Sequence, residues 1–450
     1  MQVPASARLH LRTAHSVLTS SRVQRWAGLI TSFLAGQGTV QLINLITGFF
    51  LLRWMSVESY AQFSIAFGFQ STLQWMVELG ATHSIIALTG DRGQDKETVG
   101  RYIRSAIYFR KRLFLAIVPL AAIAFPLVTA KHHWGWRIQL LLFISIVSAL
   151  FFQGFASYYS APFLINQRIK QYYQPQIFTA IARLVVCVLL RFASLLTSWA
   201  SAWTNSAVIA VNGWLYRRKA SDLVSVPKQV DPTCNREMIN YILPALPWLI
   251  FSAFQGQISL LLITIFGQTR NIAEIAALGR LGQLFLVLGA FNSIVIAPYI
   301  VKVARPQLAR RYLQILSGAF AISIFLTAIS FIFPEPLLWI LGDKYQNLRV
   351  EIGWAVAMSC VGYVNTVMMT MHSARKWIYW WWGSLNIITS IIIQIVCIFL
   401  FDLSSTLNVL YFSLAATLAT FVMLILGGVY GFAYGPPRRL RERFTTEVEN

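Results

Sequence analysis

IQLLLFISIVSALFFQGFASYYSAPF, residues 138–163, contains no charged side chain. A helix crosses the hydrocarbon core of a bilayer in about 20 apolar residues, so this stretch is long enough to span one. Similar segments flank it on both sides, at Gly28–Leu52, Ala61–Leu88 and Leu113–Ala130 before it and Gln176–Thr197, Trp199–Tyr216, Tyr241–Phe266, Ile272–Val301, Leu313–Phe333, Ile352–Met371, Ile378–Phe401 and Leu407–Tyr430 after it. With 57% hydrophobic and 12% charged residues over 450 positions and a mean hydropathy of +0.60, the chain is not a soluble domain around one packed core.

The connections between these twelve segments alternate between arginine-rich and charge-poor. Lys and Arg in short loops are retained on the cytoplasmic side, so the alternation reports orientation. With a cytoplasmic N-terminus, 28 of the 37 Lys and Arg fall in cytoplasmic arms and loops, 5 in external loops, and 4 within or at the ends of helices. The expected fold is therefore an all-α polytopic membrane protein of about twelve transmembrane helices, with both termini cytoplasmic. The densest basic loop, with Arg92, Lys96, Arg101, Arg104, Arg110, Lys111 and Arg112, is expected to lie partly as an interfacial helix.

The net charge of +21 does not point to nucleic acid, because it is divided among cytoplasmic segments too short to build a groove. Attraction to anionic lipid accounts for it, at about 1 kcal/mol per basic group near the surface. Residues 1–27 lack the compact apolar region and cleavage site of a signal peptide. Cys187, Cys234, Cys360 and Cys397 form neither a disulfide framework nor a metal knuckle. His132 and His133 are adjacent in a short external loop and lack a third ligand. No external loop is large enough to display a catalytic constellation. No catalytic residue, metal site or cofactor is assigned, and an enzyme is not expected.

A charge at the bilayer centre costs about 2.5–3.5 kcal/mol on the insertion scale, so embedded ionisable residues are functional candidates. Arg53 closes the first segment at its external end, and Arg191 lies about 15 residues into the fifth, roughly 22 Å along its axis. Either can snorkel to the interface or face a cavity. Arg183 and Arg280 lie deeper, and a water-filled internal cavity is the expectation for both, with pairing to backbone carbonyls as the alternative. Glu78, the one carboxylate clearly within a span, cannot neutralise four arginines. It either joins the cavity or pairs at its helix end. An electropositive cavity suits a phosphate or pyrophosphate, for which Arg supplies paired planar donors.

Offsets of about 200–215 residues relate helices 3–6 to helices 9–12, which suggests parallel repeats with a path between them. The division is a basic arm at 1–27, a six-helix lobe at 28–216, an inter-lobe loop at 217–240, a second six-helix lobe at 241–434 and a tail at 435–450. Gln255, Gln257 and Asn292 either line the path or bond between helices, as do Gln70 and Gln74. The run Trp377, Tyr379, Trp380, Trp381 and Trp382 fits an interfacial aromatic belt. Gly427, Gly431 and Gly435 have the spacing that lets helices approach closely.

The stretch Leu51-Leu52-Arg53-Trp54-Met55-Ser56-Val57-Glu58-Ser59-Tyr60-Ala61-Gln62-Phe63 resembles the turn between helices 1 and 2 of the polysaccharide-export flippases. Glu78-Leu79-Gly80, Ala273-Glu274-Ile275-Ala276-Ala277 before Arg280, and Leu341-Gly342-Asp343-Lys344-Tyr345 are similar to further motifs of that family, in order along the chain. The resemblance implies the oligosaccharide flippase branch of the multidrug, oligosaccharidyl-lipid and polysaccharide exporter superfamily. Such a protein turns an undecaprenyl-pyrophosphate-linked repeat unit across the bacterial inner membrane for O-antigen or exopolysaccharide export. Its implied partners are that lipid-linked oligosaccharide, membrane lipids and polysaccharide polymerase or chain-length machinery. The implied substrate-binding set is Arg53, Glu78, Arg183, Arg191, Gln255, Gln257, Arg280 and Asn292. The alternatives are a cation-coupled multidrug antiporter of the same fold, which needs more buried carboxylates, and a non-transporting scaffold for glycan assembly.

Overall fold

The computed structural model describes residues 21–90, 93, 95–377 and 379–435, so most of the basic arm and the tail lie outside it. The described residues form helices and connecting turns. In chain order the helices are α1 (Ser21–Trp54), α2 (Val57–Glu78), α3 (Ala81–Thr89), α4 (Lys96–Thr129), α5 (Trp136–Ile165), α6 (Ile169–Phe192), α7 (Ser198–Ala220), α8 (Pro232–Ile242) and α9 (Leu246–Gln255). They continue as α10 (Ile258–Phe266), α11 (Thr269–Gly282), α12 (Leu284–Phe291), α13 (Ala297–Lys302), α14 (Arg305–Ile332), α15 (Glu335–Leu341), α16 (Arg349–Ala374), α17 (Trp380–Leu400) and α18 (Thr406–Tyr434). These build twelve spans in two lobes of six.

Nine helical segments among the described residues are long and apolar enough by themselves to cross a membrane. The other three spans are the informative ones. The second, α2, carries Glu58, Gln62, Gln70, Gln74 and Glu78, and α7 is rich in Ser, Ala and Asn. The eighth is interrupted, running as α11, α12, a π-helical turn at Asn292–Ile296 and α13. Polar side chains survive in these spans because other helices cover them. Ser198 donates to Gln62 at 2.6 Å, Asn205 to Gln70 at 3.1 Å, and Ser206 to the Ser145 carbonyl at 2.8 Å. Each such bond between membrane helices stabilises by about 0.6–2 kcal/mol.

Several expected boundaries shift for local reasons. The second span breaks after Glu78, where Leu79 and Gly80 take left-handed backbone angles of φ 40° and 76°. Glycine accepts that conformation without a Cβ clash. The basic stretch after the second span is no separate interfacial helix; α4 starts at Lys96 and carries Arg101 to Arg112 on its first turns. Nor is the inter-lobe connection all loop. It contains α8, whose Cys234, Met238 and Ile242 are buried in the N-terminal lobe's core with Tyr102, Tyr158 and Tyr216. Of the aromatic run, Trp377 and Tyr379 are buried in the C-terminal lobe's core, with Trp381 and Trp382 packed against it. Trp377 is buried beside Tyr312, His372 and Phe432, and the rings of Trp382 and Trp377 fill the notches at Gly427 and Gly431.

The buried apolar residues divide unevenly. At the charge-poor end one cluster joins both lobes, from Leu51, Leu52, Tyr60, Phe63 and Phe125 to Ile272, Leu278, Leu338, Tyr345 and Phe412. At the arginine-rich end there are two clusters instead, one within each lobe. The molecule is a wedge, closed at its charge-poor end.

The segment before α8 is seated on α4, where the Ser225 N–H donates to the Lys96 carbonyl at 3.1 Å. A Cβ at Gly100 would overlap the Ser225 carbonyl. Gly100→Ala is therefore expected to lower the thermal unfolding midpoint in detergent, by the equivalent of about 1–3 kcal/mol for overpacking. An unchanged midpoint would show that this seat contributes nothing to stability.

Candidate functional site

The wedge encloses a cavity of about 320 Å³ between the lobes. Its walls are Tyr60, Ser64 and Phe67 of α2, the Gly256–Leu260 break between α9 and α10, the Ile275–Gln283 face of α11, Ala355 and Met358 of α16, and Leu410 of α18. The interrupted seventh and eighth spans thus supply much of the lining. Irregular backbone at membrane depth is tolerated where it lines a cavity or is buried in protein.

Arg280 is the only charged group in this lining. Its Nε donates to the Tyr60 hydroxyl at 3.3 Å, and one terminal nitrogen donates to Gln283 Oε1 at 3.4 Å. The guanidinium carbon lies 5.8 Å from the Phe67 ring centroid. The Tyr60 hydroxyl in turn donates to the Ala276 carbonyl at 3.5 Å, so Arg280 is aimed by neutral partners. Gly48 of α1 makes room for it: a Cβ there would stand 3.0 Å from the Arg280 terminal nitrogen. Arg183, on α6, is close enough for its charge to repel that of Arg280. Neither arginine joins any of the ion pairs found among the described residues.

The remaining candidates separate. Gln257 lines the cavity at the helix break. Gln255 instead accepts from Gln394 of α17 at 2.7 Å, within the C-terminal lobe. Asn292 is fully buried in that lobe and accepts from the Tyr363 hydroxyl at 3.4 Å. Glu78 stays in the N-terminal lobe, accepting from Thr82 at 2.6 Å and Ser157 at 3.4 Å, so hydroxyls rather than a basic side chain hold it. Arg53 and Arg191 are exposed at the charge-poor rim, where Arg53 stacks 5.0 Å from the Trp339 ring centroid. Among the cavity residues not foreseen are Tyr60, Ser64, Phe67, Ser259 and Gln283. Tyr60 stood in the quoted turn motif, but nothing in the sequence alone marked the rest.

At the rim, polar side chains of one lobe reach backbone and hydroxyl groups of the other. Lys344 donates to the Arg53 carbonyl at 2.9 Å and the Met55 carbonyl at 2.5 Å. Lys131 donates to the Phe266 carbonyl at 2.6 Å, and His132 lies 2.8 Å from the Thr264 carbonyl and 3.2 Å from the Thr269 hydroxyl. Burial, and then the nearby charge of Arg191, hold the Lys344 ammonium below the ordinary lysine value. These contacts latch the closed end.

No protein-family profile and no curated protein sequence matches the chain. Solved structures do. An inward-facing multidrug resistance MATE family transporter of the MOP superfamily superposes with a TM-score of 0.66 at 13% identity, over 91% of this chain and 96% of that one. An outward-facing structure of such a transporter gives 0.57 at 14% identity over 90% and 93%. A MOP superfamily transporter from Pyrococcus furiosus, described as having a binding pocket of reverse polarity, gives 0.57 at 13% identity over 90% and 93%. The fold is that of the MATE transporters. That fold agrees with the twelve-span, two-lobe architecture, and this chain is a multi-pass membrane protein.

The latch is testable by labelling, because all four native cysteines are buried. With Ser64→Cys as the reporter, removal of Lys131 and Lys344 by alanine substitution is expected to raise modification by an impermeant maleimide added from outside several-fold. Equal labelling in the two backgrounds would show that these lysines do not hold the lobes together.

Proposed function

We propose that the chain moves an anionic, lipid-linked saccharide across the membrane by alternating access, as a flippase for surface polysaccharide export. The observation that carries this reading is the cavity between the lobes, lined by Arg280 with Arg183 nearby and by no carboxylate. A guanidinium whose present partners are a phenol and an amide keeps donors free for phosphate. In a medium of effective dielectric about 20, a charge pair 4 Å apart gains about 4 kcal/mol. An undecaprenyl pyrophosphate head group meets that requirement, and Ser64, Gln257, Ser259 and Gln283 offer partners for sugar hydroxyls.

The wedge shape gives the direction. Positive loops mark the open end as cytoplasmic, where lipid-linked precursors are assembled, and the latched end as external. The higher TM-score to the inward-facing MATE structure than to the outward-facing one supports the same state. Transport would then require the shared apolar cluster to part and the cytoplasmic halves to meet.

A second reading, a cation-coupled multidrug antiporter, draws support from the printed descriptions of the fold relatives. A cationic drug, however, would face Arg280 without a counter-charge. The reverse-polarity pocket described for the Pyrococcus furiosus relative indicates that this fold accommodates more than one cavity polarity.

Losing one charge-assisted hydrogen-bond donor costs about 1.5–3 kcal/mol, roughly ten- to a hundredfold in affinity. Arg280→Ala or Arg183→Ala is expected to abolish glycan export, with Lys at either position retaining part of it. Deleting the gene in its host is expected to leave complete lipid-linked repeat units facing the cytoplasm. Full export by both alanine variants would overturn the cavity assignment, and altered drug resistance with normal surface glycan would favour the antiporter.

A further inference from the structure

A second basic recess lies outside the inter-lobe path, on the membrane-facing flank of the N-terminal lobe. It is a groove of about 260 Å³ between α4 and α5, walled by Phe114, Leu115, Phe151 and Phe155. Leu115 and Phe151 are 61% and 52% exposed, so the groove opens toward acyl chains rather than into the protein. Two cations line its inner and cytoplasmic sides, Arg110 and Lys111, and no carboxylate lines it.

Arg110 is 6% exposed, which for a guanidinium at the membrane boundary needs a reason. One terminal nitrogen donates to the Leu150 carbonyl, and the head group lies 6.0 Å from the Tyr158 ring centroid. Leu150, Gly154 and Tyr158 succeed one another at four-residue steps on one face of α5. The side chain crosses α5 through the notch at Gly154, where an added Cβ would overlap it. Its other terminal nitrogen has no partner among the described residues. Arg217, at the end of α7, stands 6.0 Å from the centroid of the Phe155 ring, which walls the groove. Neither Lys111 nor Arg217 enters any ion pair found among the described residues.

We infer that this groove is a binding site for an anionic glycerophospholipid of the cytoplasmic leaflet. The phosphodiester head group sits between Lys111 and Arg217, within the field of the buried Arg110, and one acyl chain lies along Phe114, Leu115 and Phe151. Charge decides the class of occupant, since a zwitterionic head group would bring its own cation against three fixed ones. The position of the basic cluster decides the leaflet: Arg110, Lys111 and Arg112 immediately precede the apolar stretch of α4, on the side to which Lys and Arg loops are retained. A lipid held there would brace α4 against α5 in the lobe that carries α8.

The test uses the full chain purified in detergent, titrated with dioleoyl phosphatidylglycerol or dioleoyl phosphatidylcholine and read by native mass spectrometry. One phosphatidylglycerol is expected to survive activation that strips phosphatidylcholine, with retention falling at least fivefold in Lys111→Gln/Arg217→Gln. Arg218→Gln, one residue along and stacked on Trp214, is the control expected to retain it. Leu115→Trp, which fills the apolar half from an exposed position and keeps every cation, is expected to reduce retention as well. Equal retention of the two lipids, wild-type retention by both test variants, or displacement of phosphatidylglycerol by inorganic phosphate would overturn the site. None of these variants touches Arg183 or Arg280, so failure here leaves the transport reading standing.

Discussion

The lobes share one packed apolar core, and they share it at one end only. Inside a bilayer, lipid tails are as apolar as leucine, so helices gain little from hiding apolar surface from one another. What holds the two halves is close packing around Tyr60, Phe63, Ile272 and Leu278, together with the rim bonds of Lys131, His132 and Lys344. Across the rim, Lys131 and Lys344 place charged donors on neutral carbonyls of the other lobe. A hydrogen bond to a charged group contributes about 1.5–3 kcal/mol, and both partners regain water when the end opens. Such a latch is strong enough to bias a state without making it irreversible. Moving a two-state equilibrium from 1:99 to 99:1 needs about 5.5 kcal/mol of differential binding, which a few rim contacts and one anion can exchange.

The same constraint explains why α2 looks so unlike a membrane helix. It is wedged between lobes, with most of its residues buried, and its glutamines find Ser198 and Asn205 instead of lipid. Being covered by protein frees it to present Tyr60, Ser64 and Phe67 to the cavity. Tyr60 then orients Arg280 from the opposite lobe, so the binding wall and the inter-lobe contact are one feature. A change of state that separates α2 from α11 must also release the Arg280 guanidinium from Tyr60. An anion that drew Arg280 away from Tyr60 would thereby loosen the contact between the lobes.

Hydropathy made the spans legible, because their length and apolar character are set by the bilayer and hardly by tertiary detail. Arg280 was expected at an internal cavity and lines one, whereas Arg183 is not among the lining residues. What one dimension could not show is which face of a helix looks inward. For Arg53 and Arg191 the interface and a cavity were both open in the sequence, and the structure leaves them exposed at the rim. Gln255 and Gln257 are two residues apart, and the break at Gly256 sends one to Gln394 and leaves the other at the cavity. Arg110 was hidden among loop charges, because nothing local reveals that Gly154, forty-four positions later, is the notch through which it passes. The tryptophans after Lys376 met the composition of an interfacial belt, but the glycines of α18 draw two of their rings inward.

Helix interruptions follow a rule that bears on how the molecule moves. The seventh span breaks at Gly256 and Gln257 and the eighth at Gln283, with a π turn below. Gln257, Arg280 and Gln283 cluster at these breaks, on the cavity wall. A π turn and a helix break leave backbone groups less tightly committed than a straight α-helix does, which is a cost in hydrocarbon unless function requires it. In the N-terminal lobe, by contrast, α4 runs unbroken through Pro119 and Pro126, and α5 and α6 are continuous. The second span also breaks, at Leu79 and Gly80, but beyond the cavity residues of α2, so the breaks on the cavity wall itself lie in the two C-terminal spans. Bending at those breaks would move Arg280 relative to Arg183, changing the repulsion between the two charges. An anion bound between them removes that repulsion and stabilises the geometry in which they are closest.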